Sequence, residues 1–203
     1  MLGLAVLFFF VVYFLLLIVV TSKAVAWAKA HNRKPWLWGG LVAFVMYNLV
    51  FWDWIPTVVA HKYYCSTQAG FTEYKTLEEW KKENPNDYKS LKWKEISDDY
   101  EDIENNRRVM ILNQRFLLIT SYHRLNLIPV TVFQFQLVDK KNNEILGKYT
   151  EIGTGYNNPM LTGGLQGFKN IWLDMGSCEG NEKTLYTKFV EFYEKFRKIG
   201  EKK

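Results

Sequence analysis

Charged side chains are missing from two long stretches of this chain. None occurs in residues 1–22 or 35–52, and 42 of the 47 charged residues lie beyond residue 60. The average composition hides this segregation, because 48% hydrophobic and 23% charged residues are ordinary values for a globular protein. Such a distribution excludes a collagen-like chain, a disordered chain and an ordinary cytosolic domain.

Recognisable catalytic motifs are also missing. The chain has no GxSxG, HExxH, SxxK or CxxC motif, so nothing indicates a hydrolase, a zinc peptidase or a dithiol oxidoreductase. The glycine-rich segment GTGYNNPMLTGGLQG, residues 153–167, contains neither a Walker A lysine nor a GxGxxG pattern. We therefore predict a surface loop there and no cofactor, and an enzyme is the less favoured of two hypotheses.

The first apolar run predicts a transmembrane helix at about residues 2–21. Its core, LGLAVLFFFVVYFLLLIVV, is 19 residues in which only Tyr13 carries a polar atom. At about 1.5 Å per residue this run spans the roughly 30 Å hydrocarbon core of a bilayer. A cleavable signal peptide is the alternative, but it needs a basic segment before the run and small residues at a cleavage site.

The second apolar run, WLWGGLVAFVMYNLVFW, predicts another transmembrane helix at about residues 36–54. Paired tryptophans flank it at both ends, as in the aromatic belts at membrane interfaces. Its 17 residues are few for a span, so Asp53 is expected near the headgroups. The alternative is a buried core helix of a soluble domain.

The segment between the runs, residues 22–35, carries four Lys or Arg residues and no acidic residue. The positive-inside rule predicts that this loop is cytoplasmic and that both termini lie outside the cytoplasm. Residues 1–60 would then form a membrane anchor and residues 61–203 an extracytoplasmic domain. With 22 basic and 20 acidic residues, that domain lacks the basic surface of a nucleic-acid-binding protein.

Cysteine and histidine are scarce. Cys65 and Cys178 both fall in the predicted extracytoplasmic domain, where an oxidising compartment favours a disulfide. Such a bond would close a loop of over 110 residues, which the chain-entropy model values at about 4–5 kcal/mol. Two buried free thiols are the alternative. No metal site is predicted, because His31, His61 and His123 are scattered in the sequence.

Residues 76–84, TLEEWKKEN, predict a short helix, because Thr76 and Glu79 form a capping box. The acidic segment SDDYEDIENN, residues 97–106, lacks the glycine that an EF-hand calcium loop requires. We predict a solvated acidic loop there, facing Arg107 and Arg108.

Several segments predict antiparallel strands. Arg107–His123 is rich in aliphatic and β-branched residues and favours one long strand or two strands that join at Asn113. Pro129–Val138 alternates apolar and polar residues, and Ile145–Ile152 follows it as a hairpin partner. A further strand is predicted at Lys169–Met175.

The end of the chain predicts an amphipathic helix, because apolar residues recur there at spacings of three and four. They are Leu185, Phe189, Phe192, Phe196 and Ile199. Packing on the sheet is favoured over a surface for a partner helix. The predicted fold class is therefore α+β: a transmembrane helical hairpin, then an antiparallel sheet domain covered by a C-terminal amphipathic helix.

Asp53, Thr57 and His61 follow one another at intervals of four residues. They would share one face of a helix that continued outward from the second span, although Pro56 argues against a continuous helix. An interfacial polar face solvated by headgroups is favoured over a proton relay or ligand site.

The predicted hairpin, followed by CSTQAGFTEYKT, by LVD and NEILGKY in a strand hairpin, and by a late cysteine, resembles small uncharacterised bacterial inner-membrane proteins with one periplasmic domain. The resemblance covers most of the chain. It implies an inner-membrane location and this two-part build, with no implied activity.

These observations favour a non-enzymatic envelope protein. Its periplasmic domain would bind another protein, as an accessory, assembly or immunity factor, and the bilayer would be its other partner. The alternative is a membrane-bound enzyme or small-ligand sensor that uses the glycine-rich loop with His61 or His123.

Overall fold

An antiparallel sheet follows a run of helices, so the predicted α+β class is confirmed. The computed structural model describes residues 2–92, 98–102, 107–155, 165–176, 178 and 182–200. In chain order the elements are α1 (Leu2–Ala30), α2 (Pro35–Phe51), α3 (Trp54–Thr67), β1 (Gly70–Glu73), α4 (Leu77–Glu83), α5 (Pro85–Ser90), β2 (Asp98–Asp102), β3 (Arg107–Ile111), β4 (Phe116–Arg124), β5 (Val130–Asp139), β6 (Glu144–Thr154), α6 (Leu165–Leu173) and α7 (Glu182–Arg197).

The chain forms two compact units. Unit 1 comprises Met1–Pro56 and Tyr156–Trp172, and unit 2 comprises Thr57–Gly155 and Leu173–Lys203. The division falls inside α3, slightly before the boundary predicted at residues 60 and 61. It also assigns α6, which is far along the sequence, to the unit of the apolar helices.

Helix α1 contains a candidate membrane span, Val6–Ala30, which is long and apolar enough to cross a bilayer. The helix continues beyond the predicted end at residue 21, because SKAVAWAKA contains helix-forming alanines and no proline or glycine. It ends where Asn32 adopts a left-handed conformation with φ 54°, a common helix stop. The predicted loop 22–35 is thus shortened to the few residues between α1 and α2.

The second predicted span, residues 36–54, is not shown as a separate membrane crossing. Helix α2 has 17 residues and alone is too short for a candidate span. Together with α3, from which it is bent by 62°, it has the length and apolar composition of a broken span or a re-entrant loop. Pro56 does not interrupt α3, because it lies in the first helical turn, where backbone N–H groups have no helical partner.

Helices α1 and α2 pack against each other in unit 1. The Tyr13 hydroxyl donates a hydrogen bond of 2.5 Å to the Met46 carbonyl, which satisfies the polar atom within the first apolar run. A Cβ atom on Gly39 would lie 2.7 Å from Val25 Cγ2, so glycine permits close approach of the helices there.

Unit 2 is built on a six-stranded sheet in the order β1-β6-β5-β4-β3-β2, with every neighbouring pair antiparallel. The strand predicted at Arg107–His123 is two strands, which separate around Asn113, and the predicted hairpin is β5 with β6.

Two predictions were wrong. The acidic segment was predicted as a loop, but the backbone of Asp98–Asp102 pairs with β3 as an edge strand, with Asp102 opposite Arg107 in the register. Lys169–Met175 was predicted as a strand, but residues 165–173 form α6. The apolar residues Leu165, Phe168 and Trp172 recur at helical spacing in the sequence, and the sequence interpretation missed this period.

Helix α7 covers one face of the sheet, here called the α7 face, as predicted. Phe189, Phe192 and Phe196 join a buried cluster with Leu137 and Tyr149 of the central strands. Trp80 of α4 is also fully buried in this cluster, after a capping box of Thr76 and Glu79 that forms as predicted. Phe192 lies directly over Gly147, where a Cβ would be 2.4 Å from its ring.

Helix α3 packs on the opposite face, here called the α3 face. The period of two in β5 places Val130 and Val132 on this face, beside Ile152 of β6. Ala60 and Tyr64 of α3 pack against these residues. The described buried cluster on this face is smaller than the cluster on the α7 face.

A buried ionic network fixes the edge of the α7-face cluster. Arg115 Nε donates to Asp139 Oδ1 at 2.5 Å, and Trp80 Nε1 donates to Asp139 Oδ2 at 2.8 Å. The same guanidinium pairs with Asp87 and donates to Asn84. Sequence reasoning missed this network, because its residues come from separate elements and show no local pattern.

Candidate functional site

Three of the predicted site residues lie along one face of helix α3 at intervals of four: Thr57, His61 and Cys65. Thr57 is fully buried and His61 is 8% exposed, and Cys65 packs against the α3-face cluster. Thr57 and His61 therefore do not form the solvated interfacial stripe that was favoured from sequence. Asp53, the fourth member of that spacing, precedes α3 and lies in the other unit.

Cys65 and Cys178 form a disulfide with an Sγ–Sγ distance of 2.03 Å and a Cα–Cα distance of 5.4 Å. The bond joins α3 to the segment that precedes α7, and 113 residues separate its two ends. Cys178 also belongs to the buried cluster with Val130, Val132 and Ile152. The disulfide therefore connects α3 covalently to the part of the chain that leads into the C-terminal helix.

His61 lies beside this disulfide. Its Nε2 atom is 3.4 Å from Cys65 Sγ, one helical turn along α3. Burial lowers the pKa of His61, and a hydrogen bond with the backbone of Gly176 acts in the opposite direction without reversing the shift. The neutral imidazole is therefore favoured near pH 7, and a neutral ring nitrogen can bind a proton or a metal ion.

The chemistry of this cluster depends on the state of the sulfur atoms. One ring nitrogen of His61 and the two Sγ atoms all lie within 4.8 Å of one another. In the disulfide the two sulfur atoms are bonded to each other, and the imidazole of His61 lies next to this bond. As two thiols they would be soft metal ligands next to an imidazole.

Asp53 forms an ion pair in unit 1 that the sequence did not suggest. Lys169 Nζ of α6 lies 2.7 Å from Asp53 Oδ2, and the Asp53 side chain is fully buried. The same ammonium is 5.4 Å from the centroid of the Trp52 ring. A carboxylate removed from water needs such a cation, so Asp53 has a structural partner in place of the expected headgroups.

Helix α6 packs on the apolar helices next to this ion pair. The Trp172 ring meets Phe51 edge-on at 5.1 Å and Phe10 at 5.9 Å. Only part of the glycine-rich segment, residues 153–167, is within the described chain.

An aromatic patch occupies the end of the α7 face next to the start of α7. It consists of Tyr122, Phe133, Phe135 and Tyr186. Tyr122 is directly opposite Phe133 in the register, and the Phe135 and Tyr186 rings are 6.4 Å apart. The two tyrosines are 51% and 46% exposed, while the two phenylalanines are partly buried.

The other two histidines do not join the disulfide cluster. His31 stacks on Trp27 at a centroid distance of 4.6 Å near the end of α1, and His123 is exposed on β4. Of these features, the sequence indicated the Cys65–Cys178 disulfide, which is confirmed, and the four-residue spacing of Thr57 and His61. The approach of Cys178, Gly176 and Lys169 depends on the tertiary fold.

No protein-family model matches the chain, and neither a curated protein nor a solved structure is significantly similar to it.

Proposed function

We propose that this chain is a membrane-anchored protein of the bacterial envelope whose α+β domain lies outside the cytoplasm and binds another envelope protein. The aromatic patch is the observation that carries the binding role. An accessory, assembly or immunity factor would act in this way, without chemistry of its own.

The placement is supported by two features of the chain. Helix α1 is long and apolar enough to cross a bilayer, and Lys23, Lys29, Arg33 and Lys34 follow its apolar part, which favours a cytoplasmic position for that end. The Cys65–Cys178 disulfide favours an oxidising compartment for unit 2. In the proposal α2 crosses back, so that unit 2 and both termini lie outside.

The patch has the composition of a protein-binding surface. Tyrosine and phenylalanine are enriched at the centres of protein interfaces, because they bury a large area with little loss of side-chain freedom. Tyr122 and Phe133 stand on adjacent strands, and the Phe133 ring lies 3.0 Å from the Cβ position of Gly153 beneath it. A rigid sheet thus presents the rings, and a partner with an apolar centre would fit this surface.

The location can be tested with reporters that are active on only one side of the membrane. A periplasm-specific reporter fused after Lys203 should be active, and the same reporter inserted between α1 and α2 should be inactive. The opposite pattern would contradict the placement of the domain.

The binding role can be tested with a photocrosslinking amino acid introduced at single positions of the full chain in its membrane. At Tyr122 or Tyr186 we expect a discrete adduct of the same mass in both cases. Tyr74 is the matched control, because it is 58% exposed but follows the edge strand β1 and lies beside Leu146 of β6, whereas Phe133 of the patch is opposite Glu151 near the other end of β6. Equal adducts at all three positions, or none at the patch, would contradict the proposal.

A further inference from the structure

His61, Cys65 and Cys178 bring one imidazole and two sulfur atoms to a single place in unit 2. We propose that this place is a redox-controlled metal site: in the reduced protein, the two thiolates and the imidazole bind one Zn²⁺, and disulfide formation releases it. This inference is independent of the proposed partner binding.

The spacing of the donor atoms fits tetrahedral zinc. With bonds of about 2.3 Å to sulfur and about 2.0–2.1 Å to imidazole nitrogen, two ligand atoms in a tetrahedral site lie about 3.5 Å apart. The observed distance from His61 Nε2 to Cys65 Sγ is 3.4 Å. The pair therefore has the required separation without movement of α3.

The third ligand is held close by the fold. All three donor atoms lie within 4.8 Å of one another, and the Cα atoms of the two cysteines are 5.4 Å apart. Small side-chain rotations of Cys178 would bring its thiolate to a tetrahedral position after reduction. Cys65 is only partly buried, which leaves a route for an ion.

The surroundings of His61 also suit a metal ligand. Its position on a helix one turn before Cys65 fixes the two donors on one face. The backbone of Gly176, two residues before Cys178, forms a hydrogen bond with the ring. Ligating histidines are commonly oriented by such a backbone contact.

The chemical class of the ion follows from the donors. Two thiolates and one imidazole are a borderline-soft set, which favours zinc over calcium or magnesium. Three protein ligands leave a fourth position for water.

The redox step is a thiol–disulfide exchange with an external dithiol, such as the active site of a dithiol oxidoreductase. The dithiol sulfur atoms form a new S–S bond and supply two electrons, the Cys65–Cys178 bond breaks, and two protons end on its Sγ atoms. Zn²⁺ then forms two S–Zn bonds and one N–Zn bond and displaces the two thiol protons to solvent. Oxidation by a disulfide reverses these steps and releases the ion.

The test uses the full chain in detergent, reduced with a phosphine and kept free of oxygen. Titration with Co²⁺ as a spectroscopic substitute should saturate at one ion per chain, with a thiolate-to-cobalt charge-transfer band and the strong visible bands of tetrahedral cobalt. Zn²⁺ should remove these bands and protect both cysteines from alkylation. The unreduced protein should bind neither ion.

Two variants make the result specific. H61Q should weaken Co²⁺ binding by more than about tenfold, because loss of even a hydrogen-bond partner of a ligand costs about that much. H123Q, at an exposed histidine of β4, should bind as the wild type does. A far-UV circular dichroism spectrum and a urea midpoint of oxidised H61Q that match those of the wild type show that the variant has folded. No uptake by the reduced wild type, or equal affinity of H61Q, would overturn the proposal.

Discussion

The two faces of the sheet in unit 2 are stabilised by different means. On the α7 face the described cluster contains twelve buried residues, and six of them are phenylalanine, tyrosine or tryptophan. These rings come from the sheet and from helices α4 and α7, and they contact one another. On the α3 face it contains four, and one of these is Cys178. The first face depends on packing and the second on a covalent bond.

This difference follows from what each helix can bury. Helix α7 presents phenylalanines at helical spacing to the sheet, and burial of each such side chain contributes about 1.5–3 kcal/mol. Helix α3 instead buries Thr57 and His61, which are polar, and it contributes little hydrophobic area. A disulfide that closes 113 residues can offset this by about 4–5 kcal/mol in the chain-entropy model.

The largest effect is expected on the α7 face. Phe196→Ala should lower the free energy of unfolding by about 3–5 kcal/mol, because Phe196 is fully buried against Phe116 and Phe192. Urea denaturation of the full chain in detergent measures it, followed by the change in total tryptophan fluorescence as the buried Trp80 becomes exposed. A loss below about 1 kcal/mol would show that this face is not the main core.

Breaking the ionic network should have a similar effect and should depend on pH. Burial by itself raises the pKa of Asp139, but hydrogen bonds from Arg115, Trp80 and the Lys141 backbone outweigh it, so the pKa lies below its ordinary value. The carboxylate therefore stabilises the fold fully above the ordinary range near pH 4 and loses this effect as the pH falls through the lower folded-state value.

Asp139→Asn should accordingly cost about 3–5 kcal/mol at pH 7, because it leaves Arg115 buried without its carboxylate. The difference from wild type should shrink below about pH 4. Lys81→Ala, which removes an ion pair to the exposed Glu78, is the control and should cost at most about 1 kcal/mol. If the difference in unfolding free energy between Asp139→Asn and the wild type does not change with pH, the role assigned to the Asp139 carboxylate is wrong.

On the α3 face, Cys178→Ser should cost about 2–5 kcal/mol, the usual effect of a lost disulfide. The double replacement with Cys65→Ser should cost little more, because both changes remove the same bond. Thermal unfolding compares Cys65→Ser, Cys178→Ser and the double variant. Additive losses would show that the sulfur atoms act independently.

The smallest effect is expected for a side-chain change on the α3 face that leaves the bond intact. Ile152→Val should cost about 0.5–1.5 kcal/mol, since it removes one buried methylene next to Val130 and Val132. Urea denaturation under non-reducing conditions measures it. A cost as large as that of Phe196→Ala would remove the contrast between the faces.

Sequence analysis predicted the parts of the fold that local patterns determine. The capping box at Thr76, the β5–β6 hairpin and the phenylalanine spacing of α7 each lie within one short segment, and each is present in the structure. Pro56 argued against a continuous helix after the second apolar run, and α2 and α3 are indeed separate helices bent by 62°. The break lies at Trp52 and Asp53, and Pro56 falls in the first turn of α3, where a proline is tolerated.

The remaining features depend on contacts between distant residues. Lys169 meets Asp53 across 116 positions, and nothing in the local sequence of either residue indicates the other. The cysteine pairing was predicted because the chain has no other cysteine and both fall in the predicted extracytoplasmic domain. The approach of His61 to Cys65 depends on the position of both residues on α3. Site geometry was therefore less predictable than the elements that carry it.

The central claim, a disulfide-closed domain outside the cytoplasm, can be tested by labelling Cys65 and Cys178 in intact spheroplasts. We expect a membrane-impermeant maleimide to label neither thiol of the full chain until a membrane-impermeant phosphine has reduced the bond, and then to label both. Labelling without the phosphine would contradict the disulfide. Labelling that occurs only after the membrane has been permeabilised would contradict the location.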